Sequence, residues 1–176
     1  MQVNHSCDGE QATDFDSAVR HFWGNSLLRY AQSVATVLLA SDLPSLLREL
    51  RTMLEGPDIF IEEVASGPDV VARVKAGGVD LVIADMQIGT MGGMAICMEL
   101  RHEESYGAAD PVSVLMLLDR RPDVFLARRS GADGFIVKPL DPLRVRGAVR
   151  ALLAGESYED QSLRPATVRA GSTNVK

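Results

Sequence analysis

The stretch Asp80-Leu81-Val82-Ile83-Ala84-Asp85 decides how this chain is read. Four apolar residues in a row, with no polar alternation, predict a strand buried on both faces, as in a parallel sheet covered by helices. Ligand sites in such sheets lie just outside the carboxyl ends of the strands. Asp85 stands at that end, so it is the first candidate for chemistry.

Working outward, strand and helix patterns alternate. Upstream, Val37-Leu38-Leu39-Ala40 is a short buried strand ending in Ser41-Asp42. Pro44 suits the first position of a helix, whose apolar face is Leu46, Leu47, Leu50, Met53 and Leu54, with Gly56 as the stop. Ile59 to Val64 is a second strand. Ser66-Gly67-Pro68-Asp69 opens a helix carrying Val70, Val71 and Val74, closed by Gly77-Gly78. Downstream of Asp85, residues 86–93 form a glycine-containing loop, and Met94, Cys97, Met98 and Leu100 lie on the next helix. Val112–Leu118 is a fourth strand. Pro122-Asp123 starts a helix with Val124, Phe125 and Ala127, and Gly134-Phe135-Ile136-Val137 is the fifth strand. Asp141 caps a last helix with Pro142 in its first turn; its buried face is read as Leu143, Val145, Val149, Leu152 and Leu153. Five alternations predict an α/β, doubly wound, five-stranded parallel sheet of flavodoxin-like form, with right-handed crossovers and helices on both faces.

The chain of 176 residues accommodates one such domain with extensions. Residues 1–35 are read as an N-terminal extension, 36–154 as the domain and 155–176 as a disordered tail. In the extension, Phe15, Val19, Phe22 and Trp23 recur at helical spacing. With 46% hydrophobic residues, wholesale disorder is excluded. A net charge of −6 argues against bulk attraction to nucleic acid. That charge is uneven: residues 1–110 hold 7 Lys and Arg against 17 Asp and Glu, and residues 111–176 hold 11 against 7. Two distant cysteines, Cys7 and Cys97, do not make a disulfide framework, and Cys97 reads as a small core residue. No apolar run is long enough to span a membrane and no signal peptide is read, so a cytoplasmic location is expected.

Three polar residues stand at strand ends: Asp42, Asp85 and Lys138. In the expected fold all three meet at the carboxyl edge of the sheet. Two neighbouring carboxylates repel unless a cation relieves them. Mg2+ commonly uses one or two carboxylates and completes its shell with water and phosphate oxygens. A lysine neutralises phosphoryl charge as a compact cation, and an aspartate can act as a nucleophile that forms an aspartyl-phosphate. The set suits metal-assisted phosphoryl transfer onto a carboxylate. An aspartyl phosphatase is disfavoured because Gln87 stands where a second acid is needed. An electron carrier is disfavoured because no Ser/Thr/Gly-rich loop follows the first strand.

Over residues 36–154 the chain resembles the receiver domain of bacterial two-component response regulators. The resemblance rests on Ser41-Asp42, Asp85, Gly92-Gly93, Gly131-Ala132-Asp133 and Lys138-Pro139. It implies that Asp85 accepts phosphate from a sensor histidine kinase or phosphotransfer protein. It also implies that Asp42, Asp85 and the Gln87 carbonyl hold Mg2+, that Lys138 contacts the phosphoryl group, and that the bond before Pro139 is cis. It implies a signalling protein rather than an enzyme. Extensions of 35 and about 22 residues are too short for an output domain, since chains below roughly 40 residues seldom fold unaided. A stand-alone receiver signalling by protein contact is therefore expected.

The departures from the family pattern are specific. Ser41 replaces one acid of the usual pair. Leu118 stands where the family has a hydroxyl that reads the phosphoryl group, and Asp119 replaces a small residue with a negative charge. The switch aromatic is Phe135, without a hydroxyl, and the segment from Leu118 to Gly131 is about two residues short. The alternative is therefore a pseudo-receiver that signals without phosphorylation. The family's partner surface, the last two helices and last strand, carries Arg128, Arg129, Arg144, Arg146 and Arg150 here. These are either a solvated face or a homodimer or partner face that meets carboxylates.

Overall fold

In a computed structural model, which describes residues 34–160, the stretch that opened the reading becomes β3 (Leu81–Asp85), buried at every residue. The other strands are β1 (Ala35–Ala40), β2 (Ile59–Val64), β4 (Ser113–Leu118), β5 (Gly134–Val137) and β6 (Tyr158–Glu159). Between them run α1 (Pro44–Leu54), α2 (Gly67–Lys75), α3 (Gly93–Ser105), a 3-10 turn (Arg121–Asp123) leading into α4 (Val124–Arg129), and α5 (Pro142–Leu153). Every pairing is parallel and the order is β2-β1-β3-β4-β5-β6. The helical pattern read in residues 15–34 falls, but for its last residue, outside the described residues.

The continuous apolar runs are explained by two cores, one on each face. Successive residues of a strand point to opposite faces. Accordingly Leu38, Ala40, Val82, Ala84, Val114 and Met116 pack with α2, α3 and α4. Val37, Leu39, Leu81, Ile83, Leu115 and Leu117 pack with α1 and α5. On α1, Leu46, Leu50 and Leu54 are the buried residues, and full burial of each such leucine is worth about 1.5–3 kcal/mol. The edge strand β2 alternates differently. Its Glu62 pairs with Arg73 of α2 and its Glu63 with Arg51 of α1, one charge to each layer. Such charges blunt an edge against pairing with another chain.

The caps follow the sequence reading. The Ser66 hydroxyl accepts from the Asp69 N–H, and Asp141 accepts from the N–H groups of Leu143 and Arg144. Cys97 is fully buried. Two expectations are corrected. The sheet has six strands, because Tyr158–Glu159, in the segment read as tail, pairs with β5. That approach is close: a Cβ on Gly134 would lie 3.0 Å from the Tyr158 carbonyl oxygen. Strand β4 lies between β3 and β5. Leu143 and Leu153, read on the buried face of the last helix, face solvent, because helical spacing alone does not say where an apolar stripe ends.

Candidate functional site

Strand β4 sets the site by holding a neighbour on each side. The Leu117 carbonyl accepts from the Met86 N–H at 2.9 Å, and the Leu118 carbonyl accepts from the Lys138 N–H at 2.8 Å. Register pairs Asp85 with Leu117 and Val137 with Leu118. Asp85 and Lys138 therefore leave the sheet at the same level, one on either side of β4. The lysine stem spans the intervening strand, and its ammonium donates to Asp85 Oδ1 at 2.8 Å. The bond between Lys138 and Pro139 is cis.

The Asp85 side chain exposes no surface, so its charge must be met by protein groups. Oδ1 accepts from Lys138 and, at 3.3 Å, from the Gln87 N–H; Oδ2 accepts from the Ser41 hydroxyl at 3.2 Å. Its cover is polar rather than apolar. The Lys138 ammonium also donates to Asp119 Oδ1 at 3.1 Å, so one lysine serves two carboxylates. Burial by itself pulls the Lys138 ammonium down. Hydrogen bonds to Asp85 and Asp119, together with their charges, outweigh that and hold it above the ordinary lysine value.

Asp42 is not a helix cap. The cap position of α1 is Leu43, with no side-chain bond, and Asp42 Oδ2 instead accepts from the Gly89 N–H at 2.9 Å. The two carboxylates thus grip one loop, Asp85 at residue 87 and Asp42 at residue 89. Two glycines let that loop turn back on itself. A Cβ on Gly93 would lie 2.7 Å from the Asp85 carbonyl oxygen, and one on Gly92 2.8 Å from that of Met86. The donors around this loop are oxygens only: two carboxylates, the Ser41 hydroxyl and backbone carbonyls. That set fits a hard cation such as Mg2+, which takes one or two carboxylates. Among the described residues no group of three or more His, Cys, Asp or Glu gathers as a metal cluster.

Over residues 37–150 the chain matches the response regulator receiver domain. It belongs to that family. Among curated relatives, the response regulatory protein Rv3143 of Mycobacterium tuberculosis is 34% identical over 102 residues, 58% of this chain and 74% of its own length. Among solved structures, the signal receiver domain of a signal transduction histidine kinase from Syntrophus aciditrophicus gives a TM-score of 0.61 at 25% identity, covering 77% of this chain and 98% of that one. The receiver domain of the sensor histidine kinase PA1611 from Pseudomonas aeruginosa, described with a magnesium ion coordinated in its active site cleft, shares the fold at TM-score 0.61 and 18% identity, covering 69% and 99%. Receiver domains are signalling modules of two-component systems.

Within this receiver, the altered positions lie as follows. Leu118 is fully buried and presents no hydroxyl to the site. Asp119 sits on Lys138. Phe135 is turned inward, with the Arg128 guanidinium 5.6 Å from its ring centre. The five arginines separate. Arg128 pairs with Glu159 of β6 at 2.8 Å, and Arg144 pairs with the buried Asp160 at 2.6 Å. Arg146 donates to the Met53 carbonyl at the end of α1. Arg129 and Arg150 are exposed. Two of the five arginines, Arg128 and Arg144, thus meet carboxylates of this same chain.

Sequence reasoning missed Asp160. Its Oδ2 accepts from the Val137 N–H at 3.1 Å, next to Lys138. No sequence motif marks it. The one available signal was an aromatic residue followed by two acids, Tyr158-Glu159-Asp160, shortly after a helix stop.

Proposed function

We propose that this receiver accepts a phosphoryl group on Asp85 from the phosphohistidine of a sensor kinase or phosphotransfer protein, and passes the signal on by protein contact. One observation carries the reading: a carboxylate at the carboxyl end of the central strand, held at 2.8 Å by an ammonium that arrives across β4. An Asp85 oxygen attacks phosphorus, the new O–P bond forms, and the N–P bond of the donor breaks. Its electron pair returns to the imidazole, which takes up a proton. Lys138 moves from the carboxylate to a phosphoryl oxygen and neutralises its charge. Asp42, Asp85 and the Gln87 carbonyl would hold Mg2+, which when bound supplies further neutralisation of phosphoryl oxygens. Ser41, lacking the second carboxylate of the family pair, holds Asp85 Oδ2 by hydrogen bond instead.

A second reading has its own support. Leu118 offers no hydroxyl, and Asp119 competes for the lysine. Both favour a pseudo-receiver that binds partners without phosphorylation. A homodimer through α4, β5 and α5 would have to form around the contacts of β6, leaving Arg129 and Arg150 for charge pairing.

Incubation with acetyl phosphate and Mg2+, followed by intact mass, separates the readings. The first expects a gain of one phosphoryl group that vanishes in Asp85→Asn. No gain from either acetyl phosphate or a phosphorylated histidine donor leaves the pseudo-receiver.

A further inference from the structure

The residue before the site's lysine is met by the segment that follows the last helix, where Asp160 accepts from the Val137 N–H. We propose that Asp160 and Arg144 are positioning residues for Lys138, forming a clamp on one backbone group of each residue that flanks it, the Val137 N–H and the Pro139 carbonyl. This rests on the phosphoryl-acceptor reading for its purpose, though not for its geometry.

The geometry is built from backbone groups that need partners. In a parallel strand, successive N–H groups point to opposite sides. The Lys138 N–H faces β4 and is met by the Leu118 carbonyl. The Val137 N–H faces the other way, where β6 pairs only as far as Phe135 with Glu159. An N–H buried there without a partner would be costly. The carboxylate of Asp160 supplies one, accepting from Val137 at 3.1 Å. The same oxygen accepts from Arg144 Nη1 at 2.6 Å, and Arg144 Nη2 donates to the Pro139 carbonyl at 2.6 Å. Residues 137, 138 and 139 thus each have one backbone group tied, two of them through this single ion pair.

The clamp is itself fixed. The Asp160 side chain exposes no surface. The Arg144 backbone is held by the Asp141 cap. The Tyr158 N–H donates to the Asp133 carbonyl at 3.0 Å, and Glu159 pairs with Arg128. The lysine has a long, flexible stem, so the direction of its ammonium depends on how firmly its backbone is held. Misplacement of a reacting group by about 1 Å can cost on the order of a hundredfold in rate.

The test uses the full chain and its three lysines, Lys75, Lys138 and Lys176. Acylation of each amine by a water-soluble succinimidyl ester is followed by peptide mass spectrometry, with Lys75, which pairs with Glu103 on another part of the surface, as internal reference. In Asp160→Ala, acylation of Lys138 relative to Lys75 should rise several-fold. Arg144→Lys keeps the charge but lacks the second arm to Pro139 and should fall between. Phosphoryl acceptance from acetyl phosphate should drop on the order of tenfold in Asp160→Ala. If Asp160→Ala does not fold, the isosteric Asp160→Asn carries the same comparison. An unchanged Lys138 to Lys75 ratio in a variant with native circular dichroism overturns the clamp. If the wild type takes no phosphoryl group at all, the acceptor reading fails, and the acylation ratio still decides whether the clamp exists.

Discussion

Replacing Lys138 by methionine should be among the most destabilising single changes at the sheet edge, and the structure gives the size. Methionine keeps most of the stem and removes the ammonium. Asp85 then remains buried with only the Ser41 hydroxyl and the Gln87 N–H, at 3.2 and 3.3 Å. Removing one partner of a buried ion pair costs about 3–5 kcal/mol, because the other charge is left uncompensated. For a domain of this size each kcal/mol moves Tm by roughly 3–5 °C, so Lys138→Met should lower Tm by roughly 9–25 °C. The Lys138–Asp119 contact contributes little to this, since the Asp119 side chain is 38% exposed and exposed pairs are worth about 0–1 kcal/mol. Asp119→Asn should therefore shift stability by no more than about 1 kcal/mol. The decisive arm is the double variant Asp85→Asn with Lys138→Met. Both charges are gone, so it should recover on the order of 2 kcal/mol relative to Lys138→Met alone. Urea unfolding at pH 7, followed by far-ultraviolet circular dichroism, measures the wild type, these three variants and Asp85→Asn alone. A loss below about 1 kcal/mol in Lys138→Met, or strictly additive effects in the double variant, would refute the claim that Lys138 compensates a buried Asp85.

Two further outcomes follow from the same geometry. Gly93→Ala places a Cβ 2.7 Å from the Asp85 carbonyl oxygen, a backbone atom that cannot step aside, and should cost about 1–3 kcal/mol by chemical denaturation; a neutral result means the turn after β3 is softer than its contacts suggest. Lys138 is held above its unfolded value near 10.4, so its contribution is intact below about pH 10 and is lost as pH rises through the folded value. Tm should fall on going from pH 9 to 11 with a steeper slope in the wild type than in Lys138→Met, and parallel slopes would contradict this.

Most of the sheet was legible because the signals were local. Val37-Leu38-Leu39-Ala40 and Leu81-Val82-Ile83-Ala84 are apolar on both faces, as a strand covered on both sides is. Pro44, Ser66 and Asp141 marked helix starts for reasons that do not depend on the rest of the chain. Asp85 and Lys138 could be placed because a strand-end position is a topological fact. What could not be read was anything decided by distance across the fold. That Asp119 reaches the lysine depends on the turn after β4. That Arg144 and Arg128 find Asp160 and Glu159 depends on a two-residue strand whose sequence, Tyr158-Glu159, is too short to carry a period. The apolar stripe of α5 pointed to Leu143, which the structure leaves exposed, because Val145, Ala148, Val149 and Leu152 already fill the face.

The charge around Lys138 bears on which functional reading holds. Asp42, Asp85 and Asp119 bring three carboxylates to one edge of the sheet, with Lys138 as the ammonium bonded to two of them. A phosphoryl group adds a charge of about −1.5 to −2 near pH 7. It must compete with Asp119 for the only donor of the pair that can follow it, since Leu118 has no hydroxyl to share the work. On the acceptor reading, the substitutions at 118 and 119 therefore act together: both leave the phosphorylated state dependent on Lys138 and on added cation. Asp119→Asn should then prolong the phosphorylated state and relax its requirement for Mg2+, whereas Asp119 would be indifferent if the pocket never holds phosphate.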